Sequence, residues 1–183
     1  MSSHLISWNP KNFSTGGDGS ERGSLDYPKG DVVQWSCHSK QVLEGDTVYL
    51  IKLGRGAKGI IAKGTVTKAS YLDQCWKDPT KERTYIDFRV EDIRHNCNEG
   101  QIPQVLLQKA CPEQQWSPQS SGILIRAEYV DVVNRIWQEG SSVHSLTLYF
   151  NWMSQHEKYP QAWYKSYTEM CELGKSIKQS QKI

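Results

Sequence analysis

Few residues of this chain have the means to do covalent chemistry, and those few are poorly partnered. Arg94-His95-Asn96-Cys97-Asn98 sets an imidazole, a thiol and two amides side by side, the ingredients of a metal or nuclease centre. Such a centre needs several ligands converging in space, and the other histidines, His4, His38, His144 and His156, stand at no recognisable metal-ligand spacing. A polar loop after a strand accounts for the run better. Cys37-His38 is a neighbouring thiol and imidazole, but adjacent strand residues point to opposite faces, which works against a nucleophile and its base. Gly54-x-Gly56-x-x-Gly59 matches the dinucleotide fingerprint by letter. That loop must lead into a helix whose amino end holds the pyrophosphate, and here a β-branched run follows, so glycines of a hairpin turn explain it. The sequence has no phosphate-loop lysine motif, no H-E-x-x-H and no G-x-S-x-G. The expectation is a non-enzymatic protein without a metal or cofactor.

The composition points to binding instead. Seven tryptophans and nine tyrosines stand against three phenylalanines, so aromatics with a polar edge are over-represented, which suits flat ligands as well as cores. A formal net charge of +2 is too small to hold a polyanion by overall charge, so any nucleic-acid contact must come from local clustering. Such a cluster exists. Residues 47–72 carry Lys52, Arg55, Lys58, Lys63 and Lys68 without one Asp or Glu, whereas residues 73–99 are acid-rich. Two readings of those cations stand side by side: a row of phosphate contacts, or lysines that protect a sheet edge from pairing. The five cysteines, Cys37, Cys75, Cys97, Cys111 and Cys171, are odd in number and form no C-x-x-C pair, which suggests reduced, mostly buried thiols.

The elements that position these residues follow from periodicity. The chain has 183 residues, 37% hydrophobic and 23% charged, the size of one domain with appendages. It contains no apolar stretch near eighteen residues, and its start, MSSHLISWNP, has no basic leader followed by an apolar run, so a cytoplasmic location without a membrane segment is expected. A first strand ending at Asn9-Pro10 precedes a Gly- and Ser-rich loop over residues 11–31. The β-rich runs 47–53 and 59–67, joined by Gly54-Arg55-Gly56-Ala57-Lys58, predict a hairpin. Residues 83–91 alternate polar and apolar as a half-buried strand does, and Val105-Leu106-Leu107 and residues 122–125 read as further strand pieces. Val130, Val133, Ile136 and Trp137 recur at helical spacing after Glu128, with Gly140 placed to end the helix. Trp163, Tyr167, Met170 and Cys171 make one stripe of a second, carboxyl-terminal amphipathic helix. The expected organisation is a domain over 1–140 and an extension over 141–183 whose helix packs on a small β structure, closed or nearly so.

One order of motifs narrows the function. Ser7-Trp8-Asn9-Pro10, then Trp35-Ser36-Cys37 after the glycine-rich loop, then Glu44-Gly45-Asp46-Thr47-Val48-Tyr49-Leu50 and Lys58-Gly59-Ile60-Ile61-Ala62-Lys63-Gly64-Thr65-Val66, resembles an EVE domain. The order continues through Tyr71, Tyr85-Ile86-Asp87-Phe88, Ile102-Pro103 and Gln115-Trp116-Ser117-Pro118-Gln119-Ser120-Ser121-Gly122, spanning about residues 5–137. This last set is similar to the EVE-like modules found ahead of HNH nuclease domains in bacterial enzymes that attack modified DNA. The resemblance implies an α+β, PUA-like pseudo-barrel with flanking helices, related to YTH and ASCH domains. It also implies a reader that accepts one modified base, flipped from its strand, between aromatic side chains, most naturally 5-methylcytosine or 5-hydroxymethylcytosine in DNA. A flat base with a hydrogen-bonding rim needs ring faces and a few fixed donors and acceptors.

Carried over by position, Trp35 matches the pocket tryptophan of the YTH Trp-Ser pattern and Ser36 the polar contact after it. Trp8 and Asn9 stand where the base edge is read, with Cys37 beside them. Tyr71, with Trp76, falls where a second aromatic wall belongs, and Leu53 and Trp116 complete the rim. Lys52, Arg55, Lys58, Lys63 and Lys68 would hold phosphates. No HNH domain follows in this sequence, so a cleavage arm would either belong to a nuclease in trans or be absent. The competing reading is an RNA-binding or nucleoside-binding PUA-like domain.

Overall fold

The computed structural model describes residues 1–10, 25, 27–54, 57–75, 78–95 and 99–139. Its frame is one sheet. β1 (Ser3–Trp8), β2 (Val32–Ser36), β3 (Thr47–Lys52), β4 (Gly59–Cys75), β5 (Asp78–Ile93) and β7 (Ile123–Leu124) run in the order β2-β5-β4-β3-β1-β7, and β6 (Ile102–Pro103) pairs with β4. β1 and β3 are parallel, from Ser3 opposite Thr47 to Trp8 opposite Lys52, and the other ladders are antiparallel. β1 has neighbours on both sides and buried residues at nearly every position, as a central strand covered on both faces must.

The α+β class holds, but the pseudo-barrel expectation is corrected. β2 and β7 are the two edges of an open sheet, and no ladder joins them. The reason lies in β2. Its five residues pair with β5 only, and beyond Ser36 the His38 N–H reaches the Ser121 carbonyl just before β7 without extending into a ladder.

Burial on the two faces follows the period-two alternation of the strands. On one face Leu5, Tyr49 and Ile51 meet the helices α1 (Gln104–Ala110) and α2 (Ala127–Glu139) in a core with Leu106, Leu107, Trp116, Val133, Ile136 and Trp137. On the other, Ile6, Trp8, Val33, Trp35, Val48, Leu50, Ile86 and Phe88 form a second core with Val42 and Leu25. α2 forms where Val130, Val133, Ile136 and Trp137 predict it. Its last turn has no basic residue, and a cation reaches its carboxyl end from beyond β5 instead: buried Arg94 donates to the Trp137 carbonyl at 2.8 Å, with its guanidinium 3.8 Å from the centre of that indole.

Residues 105–107 are helical and not a strand. A three-residue apolar run fits either element, and here Pro103, extended at the amino-terminal cap, opens a turn that buries Leu106 and Leu107 together. β4 and β5 also reach further than the expected strands. Residues 71–75 and 78–84 continue as a two-stranded ribbon past the last pairing partners of β3 and β2. The carboxyl-terminal helix expected within 141–183 lies outside the described residues. Among the described residues, no helix is long and apolar enough to cross a membrane.

One buried polar pair fixes the start of β1. His4 Nε2 lies 3.1 Å from Asp46 Oδ2, and the same carboxylate accepts the backbone N–H of Ser2 at 2.7 Å and of Leu43 at 3.0 Å. Burial works to raise the Asp46 pKa, but those donors together hold it below its ordinary value of 3.8. A depressed folded-state carboxylate contributes stability above its unfolded pKa and loses it as pH falls through the folded one. The melting temperature is therefore expected to drop on acidification below about pH 4, and to drop less steeply in Asp46→Asn. Superimposable pH profiles for the two proteins would contradict this role.

Candidate nucleic-acid interface

Three of the motifs read from the sequence meet at one place. The Trp35 indole Nε1 reaches from edge strand β2 to donate to the Ser7 carbonyl of β1 at 3.2 Å. Ser7 in turn donates its backbone N–H to Ser121 Oγ at 3.2 Å, His38 donates to the Ser121 carbonyl at 3.0 Å, and Gly122 donates to the Leu5 carbonyl at 3.0 Å. Ser7-Trp8-Asn9, Trp35-Ser36-Cys37 and Ser121-Gly122 are thus pinned together, although 114 positions separate the partners of one of these bonds. The contact is tight. A Cβ on Gly122, whose φ is +98°, would stand 2.4 Å from Cys37 Sγ and 2.9 Å from Ser39 Cβ. Burial pushes the Cys37 thiol pKa up, against a weaker opposing backbone hydrogen bond at Ser39, and the side chain acts by packing.

Beside this junction lie the carboxyl ends of the parallel pair β1 and β3. Leu53 donates its N–H to the Trp8 carbonyl at 2.8 Å, and Lys52 Nζ stands 5.8 Å from the centre of the Trp8 ring. Gly54 takes φ +85°, and a Cβ there would sit 2.7 Å from Asn9 Oδ1, so the glycine makes room for that amide. Asn9, Ser36, Lys52 and Leu53 are half-buried, and exposed Lys58 follows two residues before the start of the Ile60 pairing with Ile102. The Lys58 carbonyl accepts the Gln104 N–H at 3.0 Å and the Ala57 carbonyl accepts Gln101 Nε2 at 3.2 Å, which fixes this end of the hairpin loop.

Other expected members stand elsewhere. Tyr71 donates its hydroxyl to Asp87 and accepts from Gln34 Nε2 at 2.9 Å. Gln34 and Trp35 are adjacent on β2, so Tyr71 is on the opposite side of the sheet from the Trp35 indole and does not form a second wall with it. Lys68 Nζ already covers one face of the Tyr71 ring at 3.7 Å. Trp116 belongs to the helix-side core, where its Nε1 donates to the Cys111 carbonyl at 3.0 Å. Lys63 pairs with Glu91 at 3.6 Å and lies over Tyr49, also toward that core. Arg55 and Trp76 lie outside the described residues. Of the expected cations, Lys52 and Lys58 flank the junction.

The two tryptophans at the junction are closed in. Trp8 is 5% and Trp35 4% exposed, and Trp35 meets Phe88 edge to face with ring centres 6.4 Å apart. Sequence reasoning missed Leu25, which is 5% exposed and enters the same core from outside the sheet. Its signal was slight, one leucine in a polar stretch. Among the described residues, no group of three or more His, Cys, Asp or Glu side chains is placed to hold a metal ion.

No family model matches the chain, and no curated protein does. Solved structures share the fold distantly. A hypothetical protein from Leishmania major overlays with a TM-score of 0.55 at 13% identity, covering 76% of this chain and 96% of that one. The DUF55 domain of human thymocyte nuclear protein 1 gives a TM-score of 0.49 at 14% identity, covering 74% and 98%. Human THYN1 protein in complex with 5-methylcytosine-containing DNA gives 0.46 at 14% identity, covering 74% and 98%. At such identity the Leishmania major likeness establishes the fold alone.

The junction is testable with a matched pair of glycines. Gly30 and Gly122 both have φ +98°, but a Cβ on Gly30 meets nothing within 4 Å. Backbone strain is therefore shared, and Gly122→Ala is expected to lose about 1–3 kcal/mol more than Gly30→Ala in urea denaturation, from overpacking on Cys37. Equal losses would mean that Trp35-Ser36-Cys37 is not pressed on the segment before β7.

Proposed function

We propose that the chain is a non-enzymatic module that binds nucleic acid and reads a modified cytosine, 5-methylcytosine or 5-hydroxymethylcytosine in DNA, turned out of its strand, in a cytoplasmic restriction or defence system with a nuclease in trans. The observation that supports this most is the meeting of the Trp8-Asn9, Trp35-Ser36 and Ser121-Gly122 segments beside Lys52 and Lys58. Asn9 offers a donor and an acceptor to a base edge, Ser36 a hydroxyl, and the two lysines a hold on phosphates.

The buried state of Trp35 sets the energetics of this reading. On this reading the core that holds Trp35 must open for a base to reach the indole, and Leu25, which enters that core from outside the sheet, is the residue proposed to give way. Uncovering a buried leucine costs about 1.5–3 kcal/mol, and stacking one base contributes about 1–3 kcal/mol. The two nearly cancel, so net affinity comes from the edge contacts and phosphates, and discrimination from how well the modified base fills the space Leu25 gives up. A methyl group adds on the order of 1 kcal/mol by burial.

The experiment compares affinities for otherwise identical oligonucleotides carrying cytosine, 5-methylcytosine, 5-hydroxymethylcytosine or N6-methyladenine, and for RNA of the same sequence. A preference for modified cytosine of about fivefold or more is expected from one buried carbon. Asn9→Ala should weaken cytosine and its modified forms alike and leave that preference in place, Lys58→Ala should weaken all ligands and flatten the salt slope by about one, and Leu25→Ala should tighten modified DNA. Equal, weak binding to the whole DNA set would remove the reading, and tighter binding to RNA would establish the RNA-binding alternative.

A further inference from the structure

Beside the residue 37–43 connection lies a hollow of about 340 Å³, open to solvent and lined by Lys40, Val42, Leu43, Ala69, Tyr71, Leu72 and two hydroxyl residues. That volume is at the lower end of the ~300–1,000 Å³ usual for small-molecule sites. Its lips are unusual. Leu43 is 60% and Leu72 66% exposed, from two different elements, the turn before β3 and the free ribbon of β4. Its floor, Val42, is wholly buried and belongs to the core that holds Trp35. Lys40 brings a positive charge, and no carboxylate is among the lining residues. Ser70 Oγ donates to the Ser39 carbonyl at 2.6 Å, which fixes one wall to the other and leaves the hydroxyl able to accept.

We propose that this hollow is a second nucleotide site, taking a base between Leu43 and Leu72 with its phosphate at Lys40. Two exposed leucines from different elements offer apolar contact to a flat ring, the hydroxyls suit its polar rim, and a lone cation with no nearby lining acid suits a single anionic group. The choice of a nucleotide over another flat anion rests on the nucleic-acid reading above. Tyr71 contributes a wall and no stack, because Lys68 covers its ring and Asp87 and Gln34 hold its hydroxyl. Two sources supply the same chemistry, a free mononucleotide or an unpaired nucleotide of a bound strand.

The test follows the methyl resonances of Leu43, Ala69 and Leu72 in the full chain while cytidine monophosphate, a six-nucleotide thymidine oligomer, octanoate or inorganic phosphate is added. The nucleotide ligands should move these methyls and inorganic phosphate should not. Leu72→Asp, at an exposed position that leaves both cores intact, should weaken the effect about tenfold or more, and Lys40→Ala by about threefold. Response to the oligomer alone assigns the site to a strand, and response to the monophosphate assigns it to the free nucleotide. Octanoate binding more tightly than either, or methyls that none of the four moves, overturns the proposal. Asn9→Ala separates the two claims. If it weakens modified DNA while the methyls stay silent in the unsubstituted protein, only this site fails, and if the methyls respond in a protein that discriminates no base, only the reader fails.

Discussion

The bond from the Trp35 indole to the Ser7 carbonyl, with Cys37 pressed on Gly122 below it, ties edge strand β2 to the centre of the sheet. Among the described residues, the only ladder of β2 is with β5. A neutral hydrogen bond contributes only about 1 kcal/mol, but here it orients an indole whose burial is a much larger quantity, about 3–5 kcal/mol on truncation. Everything proposed about the site depends on that placement. It is what brings the end of β1, the end of β2 and the start of β7 into one surface from three distant parts of the sequence.

Electrostatics sets a second limit. Of the basic run, Lys63 is paired with Glu91 and Lys68 lies on Tyr71 among Asp73 and Asp87, which among the described residues leaves Lys52 and Lys58. Two phosphate contacts give a salt dependence with a slope of only about −2. On the proposed reading, these two cations give weak attraction by charge, and selectivity comes from the base. The segregated charge seen in the sequence was real, but two of its five cations, Lys63 and Lys68, are taken up by contacts within the fold.

Much of the fold was legible because period-two alternation and glycine placement are local. Residues 47–53 and 59–67 formed their hairpin, 83–91 fell within β5, and α2 matched its predicted helical stripe. What failed was non-local. Closure of a sheet is decided by where two edges end up, and nothing in the sequence of β2 states that its neighbour on the far side is an indole bond and not a strand. Val105-Leu106-Leu107 was too short a run to separate helix from strand. For the site, the motifs at Trp8, Trp35 and Gly122 do converge, whereas Tyr71 and Trp116 were assigned by order along the chain, and facing, which order does not carry, sends one to the outer surface and the other to the helix-side core. Leu25 and the His4–Asp46 pair left no pattern that periodicity detects.

The account is tested most directly by the tryptophan indole N–H resonances, assigned by single Trp→Phe variants, during titration with 5-methylcytosine DNA. Because Trp8 and Trp35 lie in one core and Trp116 and Trp137 in the other, the signals report which face meets the ligand. The account predicts that Trp8 and Trp35 move while Trp116 and Trp137 stay still. Movement confined to Trp116 and Trp137, or no movement at saturating DNA, would contradict it.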